Sequence, residues 1–220
     1  MYPDTKILVE GLGVSALTGT AYAEAERRVT EAASKLAERG ADALLLFGTS
    51  MSFYRGAAGN AAMENAMRAA TGLPSMTLTS ALEKAMRLLH LQRVAVATAY
   101  SDQVNALFRA YFQAAGFTIP AIAGLDLTAL SVVEDTGLDP ILDISRMVWA
   151  RASGADALVI SCAGLTTTEA AIRLEAAFRR PVISSSMVGA WAAQGLAGGA
   201  TSLRGFGILY EQEGLKWPSA

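Results

Sequence analysis

The sequence holds one cysteine, Cys162, and one histidine, His90. A single thiol excludes an internal disulfide and any multi-thiolate metal site. A single imidazole leaves one candidate for Ser–His or Cys–His chemistry. His90 stands at the end of a helical stretch, just before the apolar run at Arg93, where it complements a helix C-terminus. Cys162 lies at the carboxyl end of the apolar run Ala157–Ser161, in Ser161-Cys-Ala-Gly164. In open α/β sheets, ligands bind beyond the carboxyl ends of strands. A following helix N-terminus adds free N–H groups there and depresses a thiol pKa. A cysteine within a strand is usually a small buried hydrophobe; this position after the strand argues for a functional thiol.

The loop Gly48-Thr49-Ser50 follows a second apolar run, Ala43–Phe47, and Tyr100 follows a third, Arg93–Thr98. If these strand ends converge, one thiol meets three hydroxyls and several backbone amides. Such donors carry no fixed positive charge. They suit a carboxylate, or the enediolate formed when a carbanion arises beside one.

Other motifs carry less. Gly11-Leu-Gly13-Val-Ser-Ala16 has dinucleotide-fingerprint spacing, but the next helix signal comes only at Thr20. The following strand also ends without an acidic residue for a ribose, so a glycine-rich loop is the better reading. Ser184-Ser185-Ser186 reads as a strand-to-helix turn with an N-cap, or as a polar wall of a site. The sequence has no P-loop and no nucleophile elbow.

The elements that must place these residues alternate. Strands are expected at Lys6–Glu10, Ala43–Phe47, Ser75–Leu78, Arg93–Thr98, Phe117–Ala123, Ala157–Ser161 and Val182–Ser185. Helices are expected at Ala21–Arg39, Ala57–Ala70, Ser80–Leu89, Ser101–Ala115, Asp139–Ser153 and Thr168–Phe178. Thr20 is a candidate N-cap, Gly40 and Gly154 are candidate helix stops, and Pro74 and Pro181 open strands. This alternation predicts an α/β fold with mainly parallel sheets.

The chain also repeats itself. Gly40-Ala-Asp-Ala-Leu44 recurs as Gly154-Ala-Asp-Ala-Leu158, each followed by a strand, a small-residue loop, a helix and a proline-opened strand. The repeat predicts two pseudo-symmetric Rossmann-like lobes, 1–91 and 92–200, with the site in the cleft between them. A tail, 201–220, is expected to pack back on the first lobe. The second lobe opens with a strand at Arg93–Thr98 that has no counterpart before Lys6–Glu10. Either the lobes differ or an N-terminal strand precedes this sequence.

Composition sets outer bounds. The 220 residues are 52% hydrophobic and 17% charged, with net charge −2 and no basic block. Nucleic acid and anionic membranes are therefore not expected partners. No apolar run is long enough to span a bilayer, and the N-terminus lacks a signal-peptide layout. One unpaired cysteine fits a reducing, cytoplasmic setting.

On these segments the chain resembles the aspartate/glutamate racemase superfamily, and within it the arylmalonate decarboxylases, near the maleate cis-trans isomerases. The carrying segments are Met1-Tyr-Pro-Asp, Gly11-Leu-Gly13, Gly48-Thr-Ser-Met-Ser-Phe-Tyr-Arg-Gly56, Ala69-Ala-Thr-Gly-Leu-Pro74, Val96-Ala-Thr-Ala-Tyr100, Ser161-Cys-Ala-Gly-Leu165 and Pro181-Val-Ile-Ser-Ser-Ser186. Racemases and isomerases of the superfamily place a cysteine on each lobe. Here the first position is Gly48, so a single thiol serves only one face of a substrate. The resemblance implies metal- and cofactor-free decarboxylation of an α-aryl or α-alkenyl malonate, through an enediolate protonated once by Cys162. It implies a dioxyanion hole from Gly48, Thr49, Ser50, Tyr100 and Ala163, and a pocket lined by Gly164, Leu12, Val14, Leu17, Tyr22 and Met51. It leans towards a monomer with a small dicarboxylate as its only partner. Ala163 stands where the family has glycine, which narrows the aryl slot. The family also has a strand that would precede residue 1. Alternatives are an isomerase or another lyase acting on a small dicarboxylate, and an impaired carboxylate-binding relative.

Overall fold

A computed structural model describes residues 2–212 and Trp217. In chain order the first half holds α1 (Gly19–Glu26), α2 (Val29–Glu38), β1 (Leu44–Leu46), α3 (Thr49–Phe53), α4 (Gly56–Thr71), β2 (Ser75–Thr77) and α5 (Leu78–Leu88). The second half holds β3 (Val94–Thr98), α6 (Asp102–Ala114), β4 (Ile122–Gly124), α7 (Leu130–Glu134) and α8 (Leu138–Arg151). It continues with β5 (Ala157–Ser161), α9 (Thr168–Phe178), β6 (Val182–Ser184) and α10 (Ser185–Leu196). All described strand pairs are parallel, so the predicted α/β class holds.

β3 and β5 are apolar along their length and every residue in them is buried. That pattern belongs to parallel strands covered by helices on both faces. They form the centre of a four-stranded sheet of order β4-β3-β5-β6. The first half has a two-stranded sheet, β1-β2. The sequence repeat reappears as a repeat of hydrogen bonds: Leu44 N–H donates to the Pro74 carbonyl at 2.9 Å, and Leu158 N–H to the Pro181 carbonyl at 3.0 Å.

Three expectations need correction. Lys6–Glu10 is not a strand. Its counterpart β4 pairs only with the central strand β3, and among the described residues the first sheet has no such central strand. Side chains from α2 and its C-cap hold the segment instead: Arg39 donates to the Val9 carbonyl at 3.1 Å, and Lys35 and Arg39 pair with Glu10. The expected helix Ala21–Arg39 is two helices, broken at Arg27–Arg28. Its N-cap is Thr18, not Thr20: the Thr18 hydroxyl accepts from Ala21 N–H at 3.3 Å. The β-strand expected at Phe117–Ala123 is confined to Ile122–Gly124; before it the chain touches the start of β3 only through an isolated bridge, Arg93↔Thr118, with Val94 N–H donating to the Thr118 carbonyl at 2.9 Å.

Residues 208–210 run against α9 and α10. Tyr210 donates to the Met187 carbonyl, and Ile208 N–H to Glu175. Trp217 packs edge-on to Trp191, with Lys84 of α5 over its ring. No helix among the described residues is long and apolar enough to cross a membrane.

Candidate active site

Two turns build the site. β1 runs into Gly48, which caps α3 with an extended backbone (φ −153°). The Gly48 carbonyl accepts Ser52 N–H, so the first N–H groups of this short helix stay open. Thr49 and Ser50 lie in this turn, 1% and 5% exposed. The Thr49 hydroxyl is buried with no hydrogen-bond partner. A buried orphan hydroxyl costs roughly 1–3 kcal/mol, which makes it a candidate ligand group.

The second turn follows β5. Cys162 is 4% exposed and has φ 155°, a backbone conformation L-residues rarely adopt. Such strain costs about 1–3 kcal/mol and clusters at functional sites. Burial pushes the thiol up to about 11, against the pull of the Gly164 and Leu165 N–H groups and the Tyr100 hydroxyl. At neutral pH Cys162 is therefore a protonated acid, not a thiolate. The helix-terminus depression of its pKa expected from sequence is not found: the next helix begins only at Thr168, and desolvation outweighs the N–H groups of Gly164 and Leu165. Among the described residues the backbone N–H groups of Ser50, Cys162 and Ala163 donate to no acceptor.

Aromatic side chains tie the turns together. Phe53 of α3 packs edge-on to Tyr100, with ring centres 6.0 Å apart. The Tyr100 hydroxyl lies 3.2 Å from Ser161 Oγ and interacts with Ser50 and Cys162. Burial holds it well above the usual tyrosine range. From α1, the Tyr22 hydroxyl donates to Ser50 Oγ at 2.7 Å; burial pushes its pKa up to about 12. Tyr22, Ser50, Tyr100 and Cys162 thus form one buried network. Sequence reasoning placed Tyr22 only in the pocket wall and missed Ser161. Hydroxyl residues beside two already chosen positions were the available signal.

The remaining predicted residues are placed around this network. Met51 is buried beside Gly48, where an added Cβ would stand 3.3 Å from Met51 Cβ. At Gly164 an added Cβ would stand 3.1 Å from Val133 and 3.3 Å from Leu130, so α7 closes on the cysteine turn. Leu17 is buried, and its N–H donates to Thr128 while Leu130 N–H donates to Ser15. The glycine-rich loop is thereby clipped to the chain leading into α7. Leu12 and Val14 are half-buried on that loop, without a described contact to Cys162. Ser184 caps α10 by accepting Met187 N–H, as a strand-to-helix turn requires. His90 is exposed and outside the network. Two surface depressions, of about 650 and 270 Å³, lie elsewhere; no residue named in the site lines them.

The arylmalonate decarboxylase family model matches residues 1–210. The chain belongs to the arylmalonate decarboxylase family. The arylmalonate decarboxylase of Bordetella bronchiseptica is 37% identical over 213 residues, covering 96% of this chain and 89% of that protein. A crystal structure of an arylmalonate decarboxylase double variant in liganded form superposes with TM-score 0.93 at 36% identity, covering 96% of this chain and 90% of the other. A maleate cis-trans isomerase from Nocardia farcinica, with a covalently bound succinylcysteine intermediate, superposes at TM-score 0.86. It is 20% identical over 91% of this chain and 84% of its own, a likeness that shows the fold alone. Membership in this family of carboxy-lyases does not favour the isomerase alternative.

Proposed function

We propose that the chain decarboxylates α-aryl or α-alkenyl malonates to enantioenriched monocarboxylic acids, in the cleft between lobes 1–91 and 92–200. The observation that carries this reading is a single protonated thiol, Cys162, joined to the hydroxyl network of Tyr22, Ser50 and Tyr100. The retained carboxylate sits on the hydroxyls of Thr49, Ser50 and Tyr100 and the open N–H groups of Ser50, Cys162 and Ala163. The departing carboxylate faces the apolar wall of Leu12, Val14, Leu17 and Met51, where poor solvation favours loss of its charge. The bond from the α-carbon to that carboxylate breaks and carbon dioxide leaves. The electron pair stays on the α-carbon and spreads into the retained carboxylate as an enediolate. Preorganised donors stabilise this charge as it develops. The Cys162 S–H bond then breaks and its proton goes to one face of the α-carbon. Water returns a proton to the thiolate. Each step is completed by side chains, backbone amides and water, without a metal or organic cofactor.

The test is carbon dioxide release from phenylmalonate in buffer with chelator, with chiral analysis of the product from its α-methyl analogue in deuterated water. The expected result is release, one enantiomer, and one deuterium at the α-carbon. A racemic product, or no release from a folded sample, overturns the proposal.

A further inference from the structure

The turn after β1 is held by a hydroxyl from α5, outside the network around Cys162. Thr79, the second residue of α5, is fully buried. Its hydroxyl donates to the Thr49 carbonyl at 2.9 Å, across 30 residues of sequence. Ser52 of α3, also fully buried, lies 2.7 Å from the same hydroxyl and accepts the Thr79 N–H at 3.4 Å. Ser52 Oγ is in turn 2.8 Å from the Gly48 carbonyl and 3.0 Å from the Thr49 carbonyl. The Ser52 contacts alone would be ordinary, since helical serines often bond a carbonyl of the preceding turn. Thr79 is not local; it reaches the turn from another helix.

A peptide unit is planar, so a group that fixes a carbonyl also fixes the N–H at its other end. The Thr49 carbonyl shares its plane with the Ser50 N–H, which donates to no acceptor among the described residues. A hydrogen bond accepted at the carbonyl also polarises that N–H, because linked hydrogen bonds strengthen one another. The repeat supplies a contrast. Aligned on Pro74 and Pro181, Thr79 corresponds to Ser186. The Ser186 hydroxyl lies 2.6 Å from Thr167 Oγ1, which donates to Ser184 Oγ at 2.8 Å. Among the described residues, neither the Ser186 nor the Thr167 hydroxyl bonds a carbonyl of Cys162 or Ala163. The hydroxyl pair locks the first turn and leaves the second alone.

We propose that Thr79 is a positioning residue for the decarboxylation. Its hydroxyl, backed by Ser52, holds the Thr49–Ser50 peptide so that the Ser50 N–H is aimed and polarised towards the retained carboxylate. The inference rests on the proposed function and adds the group that sets one donor of the dioxyanion hole. Thr79 acts through the peptide, not on the substrate.

The test compares Thr79→Val, which loses the donor, with Thr79→Ser, which keeps it. Two readouts are taken: turnover of phenylmalonate, and the Ser50 amide proton shift in isotope-labelled protein, free and with phenylacetate. Thr79→Val should lower kcat about tenfold, less than the about 10²–10³-fold of deleting a donor outright, with KM little changed. Its Ser50 amide proton should move upfield, as a less polarised N–H does. Thr79→Ser should restore both readouts, and Ser186→Ala should disturb neither. Ser52→Ala gives the same upfield shift if Thr79→Val does not fold. A kcat loss that serine fails to rescue, an equal loss in Ser186→Ala, or an effect confined to KM overturns the positioning role. So does an unmoved Ser50 amide in the folded variant, beside an unmodified chain that turns over. An unmodified chain that releases no carbon dioxide, or whose Ser50 amide ignores phenylacetate, overturns the proposed function and the positioning role with it.

Discussion

The turn after β1 and the turn after β5 hold the same position in two related parallel sheets, yet carry different chemistry. The first is relaxed: Gly48 is extended and opens a short helix whose hydroxyls and amides face inward. The second is strained: Cys162 occupies a rare backbone region and keeps a buried, neutral thiol. The difference divides the work. On the proposed mechanism, one turn holds developing negative charge and the other delivers a proton to it. The repeated fold supplies two equivalent positions, and in the proposed reaction the side chains at them confine protonation to one face.

The largest blow to this division is Cys162→Ser. A hydroxyl is a far weaker acid than a thiol, and general acid catalysis is worth about 10²–10⁴-fold. Carbon dioxide release should fall on that scale while the thermal midpoint barely moves; full retained activity would remove Cys162 from proton delivery. Next is Thr49→Val on the other turn. Losing one oxyanion donor costs about 10²–10³-fold in turnover. A change confined to KM would mean Thr49 only binds substrate.

The pH dependence of stability sharpens the contrast further. Below about pH 9 the Cys162 thiol is protonated folded or unfolded. Between about 9 and about 11 the unfolded thiol ionises while the folded one holds its proton. Stability should therefore fall by roughly 2–3 kcal/mol across that window, since each pH step in which only the unfolded thiol is ionised costs about 1.4 kcal/mol. Denaturant melts of the chain and Cys162→Ser, compared at each pH, isolate that loss; parallel curves would deny the raised pKa. The smallest effect is expected from Gly48→Cys. Its Cβ needs Met51 to give by a few tenths of an ångström. A second thiol there should allow slow racemisation of the product, read as loss of enantiomeric excess. Unchanged handedness after long incubation would mean the two turns do not face one substrate.

Much of this was legible because burial and strand position leave strong marks on sequence. Val94–Thr98 and Ala157–Ser161 read as buried strands and are buried strands. The repeated Gly-Ala-Asp-Ala-Leu marks equivalent strand starts, down to the same proline carbonyl partner. Lys6–Glu10 failed for the opposite reason: its pattern suits a strand, but a strand needs a neighbour, and pairing is not a local property. The break at Arg27–Arg28 was hidden because both helices share one alanine-rich pattern. Within the site, hydroxyl residues were found by position. The bond from Tyr22 to Ser50 spans 28 residues and had no local signal.

The unpartnered Thr49 hydroxyl has a consequence for how this protein responds to selection. A fold that buries an unmet hydroxyl is less stable than the same fold without it. Thr49→Val should thus yield a molecule that melts higher and turns over less, a trade commonly seen where function occupies a destabilising position. Screens that reward thermal robustness alone would drift away from catalysis at this residue, and a bound carboxylate would restore by occupancy what such a mutation gains by deletion.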